Sequence, residues 1–439
     1  MAAPASSVLS MTSLLRLSPA NGWPRASAAA LLPGIIAGAL GLLVGPEILG
    51  RLISLDWRCG DVRTAARVAQ IALLLVGGAL IAVRGMLETA LRRACPTRRD
   101  AGVALGLLIG ATLGFGGLAE FGLRATGRPF QARWTPSENA LAQFDPEIGW
   151  TYIPDRSHLR PFGSDRRQVA IHFDAIGARV ASPGQISDPA APTVLLVGCS
   201  YTFGHGLPYE ETFAGRMAAT PAFPLQVVNL GVQGYGTDQA LLWLQRNFAR
   251  FNVKAVVYTF LEDHVTRNAN DDRRLLYPDA RFLATKPLYG VGRDGALHLL
   301  RAPRRTDEIR SLRLWDWMRL LWTQRGPLPD RDLTRALVTE MRKFVEARGA
   351  RFLVVNWEQE VDERTFLPYP PGQGRIAILE GLGLEILDTR AGAPPDWDRW
   401  TIPGDPHPDA RAHARVAALL AQRLESVPAG AALETAVAP

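Results

Sequence analysis

Residues Thr193 to Thr202 read Thr-Val-Leu-Leu-Val-Gly-Cys-Ser-Tyr-Thr, an apolar run that stops at a glycine and presents a serine. An apolar run of this length without alternation is typical of a strand buried on both faces of a parallel sheet. Gly198 allows a turn at the end of that strand. Ser200 then lies at its carboxyl end, where open α/β sheets bind their ligands, so the stretch predicts an α/β domain with a functional serine.

Strand and helix signals alternate on both sides of this stretch. The predicted strands are Val194–Val197, Gln226–Leu230, Ala255–Phe260, Phe352–Asn356 and Leu384–Leu387. The predicted helices are Phe213–Ala219, Asp238–Ala249, Arg331–Arg348 and Ala410–Leu424. This alternation predicts a parallel, doubly wound sheet with helices on both faces, which residues 264–329 interrupt as a long insertion.

The α/β domain is expected to cover residues 191–426. Before it, residues 126–190 are rich in proline, glycine and charged residues, with short strand-like pieces such as Val169 to Phe173, which predicts an irregular lead-in segment packed on the domain. After it, residues 427–439 form an alanine-rich tail that is predicted to be disordered.

The N-terminal part, residues 1–125, has the composition of a membrane domain. Ala26 to Pro46, Val68 to Val83 and Ala101 to Ala119 contain no charged residue, and each is near the length that crosses about 30 Å of hydrocarbon. We expect three transmembrane helices rather than a cleaved signal peptide, because two further apolar stretches follow the first.

The third predicted span has glycines at every fourth position, Gly102, Gly106, Gly110 and Gly114. Small residues on one helix face let another helix approach closely. We expect this face to pack against the other two spans rather than to form a dimer.

Arginine placement predicts the membrane topology. Five arginines surround the second connection, namely Arg84, Arg92, Arg93, Arg98 and Arg99. Arg16 and Arg25 precede the first span, whereas the arginines of the first connection are diluted by Asp56 and Asp61. The positive-inside rule then predicts a cytoplasmic N-terminus and a C-terminal domain in the periplasm or cell exterior.

Charge and cysteine usage exclude several other classes. The net charge of +7 comes almost entirely from scattered arginines, without a basic stripe interleaved with aromatic residues, so no nucleic-acid partner is expected. The three cysteines, Cys59, Cys95 and Cys199, have neither paired nor metal-ligand spacing. We therefore expect no disulfide framework, no metal and no cofactor.

Two distant loops carry residues that Ser200 needs. A serine is a weak nucleophile unless a base takes its proton, and residues 404–409, Gly-Asp-Pro-His-Pro-Asp, place Asp405 and His407 in a stiff loop before the last helix. Residues 229–237, Asn-Leu-Gly-Val-Gln-Gly-Tyr-Gly-Thr, follow another strand. Their glycines let backbone N–H groups approach a reacting oxygen closely, as an oxyanion hole requires.

These blocks, in this order, resemble the SGNH hydrolase superfamily of GDSL esterases and lipases, particularly its membrane-anchored bacterial members. The resemblance spans about residues 145–424, including Ile-Gly-Trp at 148–150 and Phe-Asp-Ala-Ile-Gly-Ala-Arg at 173–179. It implies a three-layer, flavodoxin-like α/β/α fold with Ser200 as nucleophile and Asp405 and His407 as acid and base. It also implies an oxyanion hole from the N–H groups of Ser200 and Gly234, the latter preceded by Asn229 at the family's spacing.

The sequence departs from the family pattern at three places. Cys199 stands where an acidic residue usually precedes the serine, and one residue instead of two separates the last aspartate and histidine. Glu262 stands about where an asparagine usually donates to the oxyanion, and an ionised carboxylate only accepts hydrogen bonds. Either His264 or Asn268 takes that role, or Glu262 is turned away or protonated.

Four further residues have less specific interpretations. We expect His205 to be structural, because the turn after Ser200 would carry it past the site, and His413 to lie on the surface of the last helix. Tyr235 and Asp238 are expected either to line the pocket or only to pack and cap.

The resemblance implies acyl transfer from an ester. The expected substrate is an O-acyl group, with acetyl as first choice, on a surface glycan or lipid-linked saccharide at the bacterial inner membrane. The competing hypothesis is a degenerate domain that binds a glycan or a partner protein, which Glu262 favours. A third hypothesis, an acyl-lipid hydrolase, needs an apolar channel that the tryptophans of Leu312 to Trp322 could build.

Overall fold

The computed structural model describes residues 97–130, 141–325 except 222 and 279, 331–359 and 376–425, with isolated residues between 70 and 96. The first predicted span and the predicted tail lie outside the described residues, and the second span lies among the isolated ones. The chain divides into two compact units, and the second of them includes everything from Glu120 onward.

The third predicted span lies in a long helix, α1 (Arg98–Ala125). Within the described residues, its segment Leu105–Ala125 is the one helix long and apolar enough to cross a membrane, with a mean hydropathy of 1.4. Large apolar side chains along it, such as Leu113 and Phe115, are exposed. A Cβ placed on any of the four spaced glycines would meet no atom within 4 Å, so packing of this face remains a prediction.

The remaining chain contributes twelve named strands among the described residues. In chain order they are β1 Ala142–Asp145, β2 Gly149–Tyr152, β3 Ser157–Phe162, β4 Arg167–Phe173, β5 Arg179–Val180, β6 Pro192–Val197, β7 Gln226–Asn229, β8 Asn252–Phe260, β9 Leu288–Val291, β10 Leu297–Arg301, β11 Arg351–Asn356 and β12 Glu385–Asp388. Eight of them form one sheet in the order β12-β11-β8-β6-β7-β5-β4-β3. The first five in that order run parallel, and β5, β4 and β3 extend the sheet antiparallel.

Helices follow the parallel strands. They are α2 Ser200–Phe203, α3 Phe213–Ala218, α4 Thr237–Phe248, α5 Asp263–Ala269, α6 Arg313–Arg325, α7 Asp332–Glu346 and α8 Ala410–Leu424. Helix α3 packs against α8, and α4 packs against α7. Each predicted strand and helix of the α/β domain has a counterpart whose ends lie within three residues. The predicted α/β class with a mostly parallel sheet is confirmed.

Strand β6 forms the centre of the core. Val194, Leu195, Leu196 and Val197 are each fully buried, and consecutive strand residues point to opposite faces. Both faces of the sheet are therefore covered at this strand. Burial of each such side chain contributes about 1.5–3 kcal/mol, which fixes the strand that ends at Ser200.

The lead-in segment is more regular than predicted. It supplies β3, β4 and β5, and β5 joins the parallel strands through the pairing of Arg179 with Asn229 of β7. In β4, Val169, Ile171 and Phe173 are buried while the residues between them are more exposed, which is the period of a half-buried strand. The sequence indicated this strand as the strand-like piece Val169 to Phe173, but the prolines, glycines and charges around it suggested an irregular segment.

The insertion after β8 contains α5, the hairpin of β9 and β10, and α6. The carboxylate of Glu120 accepts hydrogen bonds from the backbone N–H groups of Arg313 and Leu314 at the start of α6. These N–H groups have no partner inside the helix, so Glu120 stabilises its first turn.

Candidate active site

Ser200 is the first residue of α2, directly after β6, and is almost fully buried. The turn before it requires glycine. Gly198 has φ of +150°, and a Cβ there would come within 2.4 Å of Thr202 Oγ1 and 3.1 Å of the Thr259 carbonyl oxygen. The sharp turn presents the Ser200 hydroxyl at the carboxyl edge of the sheet.

The structure brings Ser200, His407 and Asp405 together. Ser200 Oγ lies 2.9 Å from His407 Nε2, and His407 Nδ1 lies 2.6 Å from Asp405 Oδ1. The same carboxylate oxygen accepts the backbone N–H of His407 at 2.9 Å. One intervening residue is therefore enough for the aspartate to reach the ring, and the three side chains have the arrangement of a nucleophile, a base and an orienting acid.

Asp405 is held in its ionised form. Burial favours the neutral carboxyl, but hydrogen bonds from His205 and His407 outweigh it and hold the pKa of Asp405 well below its ordinary value. A charged acceptor at this position fixes the proton of neutral His407 on Nδ1 and leaves Nε2 free to take the proton of Ser200.

The loop after β7 lies against the nucleophile turn. The Val232 N–H donates to the Gly198 carbonyl at 3.1 Å. Asn229 is buried and fastens the loop, because its Nδ2 donates to the Thr202 carbonyl and its Oδ1 accepts the Gly231 N–H, both at 2.9 Å. Asn229 is thus a support of the site rather than part of an open pocket.

The backbone N–H groups of Ser200 and Gly234 are available to a ligand. Within the described residues, the structure records no hydrogen bond from the N–H of Ser200 or of Gly234. Gly234 has φ of +78°, a conformation that favours glycine. These are the two N–H groups that the sequence resemblance assigns to an oxyanion hole.

The peptide groups around Gly234 are held by residues from other elements. Trp150 Nε1 donates to the Gln233 carbonyl at 3.2 Å, and Tyr152 Oη accepts the Gln233 N–H at 3.0 Å. Arg273 Nε donates to the Gly234 carbonyl at 3.1 Å. The Ile-Gly-Trp block, which in the sequence marks only a family resemblance, supports this loop in the structure through its tryptophan.

Two of the predicted pocket residues fill the interior. Tyr235 is fully buried and donates its hydroxyl to the Trp150 carbonyl at 2.5 Å. Asp238 is fully buried in an ion pair with Lys286, whose pKa is lowered by burial although the Asp238 charge opposes that shift. Both residues pack, which is the second of the two alternatives.

Neither His264 nor Asn268, the two predicted replacements for the family's asparagine near Glu262, is exposed to a cleft, because both are fully buried. His264 is fully buried with Nδ1 2.7 Å from the Tyr258 hydroxyl, and burial lowers its pKa well below the ordinary value. Its Nε2 is buried without a partner, so it does not face an open cleft. The Asn268 amide is used by Thr237 and Thr334. Glu262 lies between β8 and α5 at the same sheet edge as Ser200, partly buried.

Two histidines differ from expectation. His205 does not leave the site: its Nε2 lies 3.2 Å from Asp405 Oδ2, and its ring stacks on His407 at 4.0 Å. His413 is buried, because the face of α8 that carries it packs on α3, where His413 Nδ1 accepts the Phe213 N–H at 3.1 Å. The glycines on both sides of His205 were the only sequence signal for its return toward Ser200.

His205, Asp405 and His407 are also the described residues that could hold a metal ion, since their ligand atoms lie within 4.8 Å of one another. Two imidazoles and a carboxylate suit zinc. A metal bound there would compete with the hydrogen bonds that join His205 to Asp405 and His407 to Asp405 and Ser200.

Comparisons with known proteins give structural neighbours only. The sequence matches no protein-family model and no curated protein. A lipase/acylhydrolase from Enterococcus faecalis is similar at 14% identity, with 55% of this chain and 100% of that chain covered and a TM-score of 0.33. A GDSL-like lipase from Bacteroides thetaiotaomicron is similar at 10% identity, with 54% and 89% covered and a TM-score of 0.32. Likeness at this level does not assign a function, so the chemistry must come from the site itself.

Proposed function

We propose that this protein is a serine-dependent ester hydrolase or O-acyltransferase of the SGNH type. The single observation that carries the proposal is the continuous hydrogen-bonded chain from Ser200 Oγ through His407 to Asp405, with separations of 2.9 and 2.6 Å. A serine needs such a base, and the base needs such an acceptor, to act as a nucleophile near neutral pH.

In the first half of the reaction, Ser200 Oγ attacks the carbonyl carbon of the ester while His407 Nε2 takes the hydroxyl proton. Asp405 accepts the Nδ1–H and stabilises the imidazolium. The N–H groups of Ser200 and Gly234 donate to the oxyanion of the tetrahedral intermediate. Collapse breaks the bond to the leaving oxygen, which receives the proton from His407, and leaves an acyl-serine.

In the second half, His407 takes a proton from water or from a sugar hydroxyl, and the resulting oxygen nucleophile attacks the acyl-serine. The tetrahedral intermediate collapses, Ser200 regains its proton from His407, and a free acid or a new ester leaves. Hydrolysis and transfer thus use the same residues and differ only in the acceptor.

The proposed substrate is an O-acyl group, with acetyl as first choice, on a cell-envelope glycan or lipid-linked saccharide. Two features support it: the apolar segment Leu105–Ala125, which suits a membrane anchor, and the arginine distribution, which favours a periplasmic or external catalytic domain. The substrate class also rests on the resemblance to membrane-anchored members of the family.

A binding domain without catalysis is the second candidate. The observation that favours it is Glu262, which stands where the family's oxyanion donor is usual, while His264 and Asn268 are committed to the interior. Loss of one oxyanion donor typically lowers kcat by about 10²- to 10³-fold. The two candidates therefore differ in whether Ser200 reacts at all.

Labelling with a fluorophosphonate distinguishes them. We expect the full-length chain in mild detergent to be labelled at Ser200, and Ser200→Ala to lose labelling and at least about 10³-fold of kcat on p-nitrophenyl acetate. Ser157→Ala is the matched control, because Ser157 Oγ also contacts a histidine, His172 Nδ1 at 2.8 Å, on the exposed sheet edge. An unlabelled, folded wild-type protein would favour the binding domain.

A further inference from the structure

Asp405 is shared by two histidines. Its Oδ1 faces His407, and its Oδ2 lies 3.2 Å from His205 Nε2. On its other side, His205 Nδ1 lies 3.0 Å from Gln233 Nε2. The hydrogen-bonded chain that begins at Ser200 therefore does not end at the aspartate. It continues to the residue that precedes Gly234 in the oxyanion loop.

We propose that His205 is a positioning residue for the reaction, which holds the second oxygen of Asp405 and couples the triad to the oxyanion loop. The inference rests on the proposed function. It adds that correct placement of the base depends on a side chain from the turn after α2.

The partners of His205 fix its tautomer. The Gln233 Nε2 amide donates to Nδ1, so neutral His205 carries its proton on Nε2 and donates it to Asp405 Oδ2. In this tautomer His205 donates to Asp405 as a neutral ring. With Oδ2 occupied in this way, Asp405 presents Oδ1 to His407 in a single orientation.

Packing holds the His205 ring in place. It stacks on the His407 ring with a centroid separation of 4.0 Å. The Phe162 ring lies edge-on to the His205 ring, with a centroid separation of 4.8 Å. The side chain of His205 is only 15% exposed. A ring confined in this way keeps its donor aimed at Asp405 before substrate arrives, as preorganised catalysis requires.

The backbone brings His205 back toward the site. Gly204 and Gly206 flank it with φ of +79° and +75°, conformations that favour glycine. The buried guanidinium of Arg179, in β5, donates to the Phe203 and Gly204 carbonyls at 2.5 and 2.7 Å and also to the Leu207 carbonyl. The turn is therefore fixed from the lead-in segment.

The carbonyl of Gln233 adds a second link. It accepts the Trp150 indole N–H and belongs to the same peptide unit as the Gly234 N–H. The side chain of Gln233 thus contacts His205, while its carbonyl shares a peptide unit with the Gly234 N–H, the proposed oxyanion donor. A shift of Gln233 would therefore move the His205 contact and the Gly234 N–H together. This shared dependence on one residue is what we mean by coupling.

The test compares two substitutions of His205 in the full-length chain. His205→Phe keeps an aromatic ring and removes the donor, whereas His205→Gln removes the ring and keeps an amide donor near the Nε2 position. We expect His205→Phe to lower kcat on p-nitrophenyl acetate by about ten- to a hundred-fold with KM little changed, and His205→Gln to recover at least a third of wild-type kcat. His298→Phe, at an exposed histidine, is the matched control.

Coupling is tested by Gln233→Leu. We expect this substitution to lower kcat by itself and to add little to His205→Phe, because both break the same chain. Fully additive losses would overturn the coupling. Wild-type kcat in a folded His205→Phe variant, or equal losses in the Phe and Gln variants, would overturn the donor role.

The tautomer of His205 can also be measured directly, which tests the proposal even if the His205 variants fold poorly. In Ser200→Ala with ¹⁵N-labelled histidine, we expect NMR to show His205 as the Nε2–H tautomer, assigned by loss of its signals in His205→Gln. The Nδ1–H tautomer would overturn the inference. A folded wild-type protein that is inactive and does not react with the fluorophosphonate would instead overturn the proposed function, and the positioning role of His205 with it, so the two failures are distinguishable.

Discussion

Asp405 illustrates how much of this site depends on single atoms. One oxygen orients the proposed base and the other is held by His205, so replacement of the carboxylate would release two rings at once. The sequence predicted Asp405 and His407 because they stand two residues apart in a stiff loop. It could not predict His205, because the return of the turn depends on Arg179, whose contacts are long-range.

His413 is a buried histidine whose neutral form the fold requires. Its ring stacks on Phe213, and its Nδ1 accepts the Phe213 N–H at the first turn of α3. Burial, with smaller contributions from the positive charges of Arg179 and His407, lowers its pKa to about 3. An amphipathic helix pattern did not reveal this, since histidine is common on either face.

This pKa predicts a pH-dependent stability. An unfolded histidine has a pKa of about 6.5, so between pH 6.5 and about 3 the unfolded chain binds the proton and the folded chain does not. The contribution of His413 is therefore fully present above pH 6.5, and it is lost as the pH falls, by about 1.4 kcal/mol per pH unit. His413→Asn, which keeps an acceptor near Nδ1 but does not titrate, should make the thermal unfolding midpoint less dependent on pH between 6 and 4.

The matched control for this measurement is His298→Asn, which removes an exposed histidine from the β9–β10 hairpin and should leave the wild-type slope. Midpoints of the full-length chain in detergent would be compared at the same ionic strength. An identical slope in His413→Asn and wild type would contradict the buried, neutral state.

At the scale of elements, the lead-in segment completes the site. Strand β2 carries Trp150 and Tyr152 to the backbone carbonyl and N–H of Gln233. Strand β5 carries Arg179 to the turn after α2. The sequence predicted the parallel strands well, because each is a short apolar run with a helix after it. In the lead-in it indicated only short strand-like pieces such as Val169 to Phe173, because the role of these strands appears only when they pair across the sheet edge.

Trp150→Phe tests the support from β2. The change keeps an aromatic ring against Tyr235 but removes the indole N–H that binds the Gln233 carbonyl. Because that carbonyl shares a peptide unit with the Gly234 N–H, we expect kcat to fall about three- to tenfold with KM little changed. Trp243→Phe is the control, since the Trp243 indole N–H is buried without a hydrogen-bond partner among the described residues. Equal effects of both changes would indicate packing alone.

At the scale of the whole molecule, a compact α/β unit is joined to an N-terminal part of different composition. Composition and apolar length predict a membrane domain over residues 1–125, and this division stays a prediction; the compact unit that holds the α/β fold includes everything from Glu120 onward. Of the three predicted spans, only the third corresponds to a helix that is long and apolar enough to cross a membrane among the described residues, and its segment is Leu105–Ala125. How spans pack depends on contacts that a one-dimensional hydropathy pattern does not contain.

The topology prediction can be tested through that segment. With a cytoplasmic N-terminus, three spans place the C-terminal domain outside, whereas loss of the third leaves it in the cytoplasm. Leu113 is exposed near the middle of Leu105–Ala125, and a leucine-to-arginine change at a span centre costs about 3 kcal/mol of insertion free energy. Because the segment's mean hydropathy is only 1.4, this cost should prevent insertion of much of the population.

We therefore expect Leu113→Arg to move a C-terminal tag from the periplasmic to the cytoplasmic side, measured by labelling with a membrane-impermeant reagent in intact spheroplasts. Leu299→Arg, at an exposed leucine of β10, adds the same charge in the α/β unit and should leave the tag outside. A tag that is cytoplasmic in the wild type would contradict the predicted topology and the envelope-glycan substrate together. A tag that stays outside in Leu113→Arg would show that this segment is not the span that exports the domain.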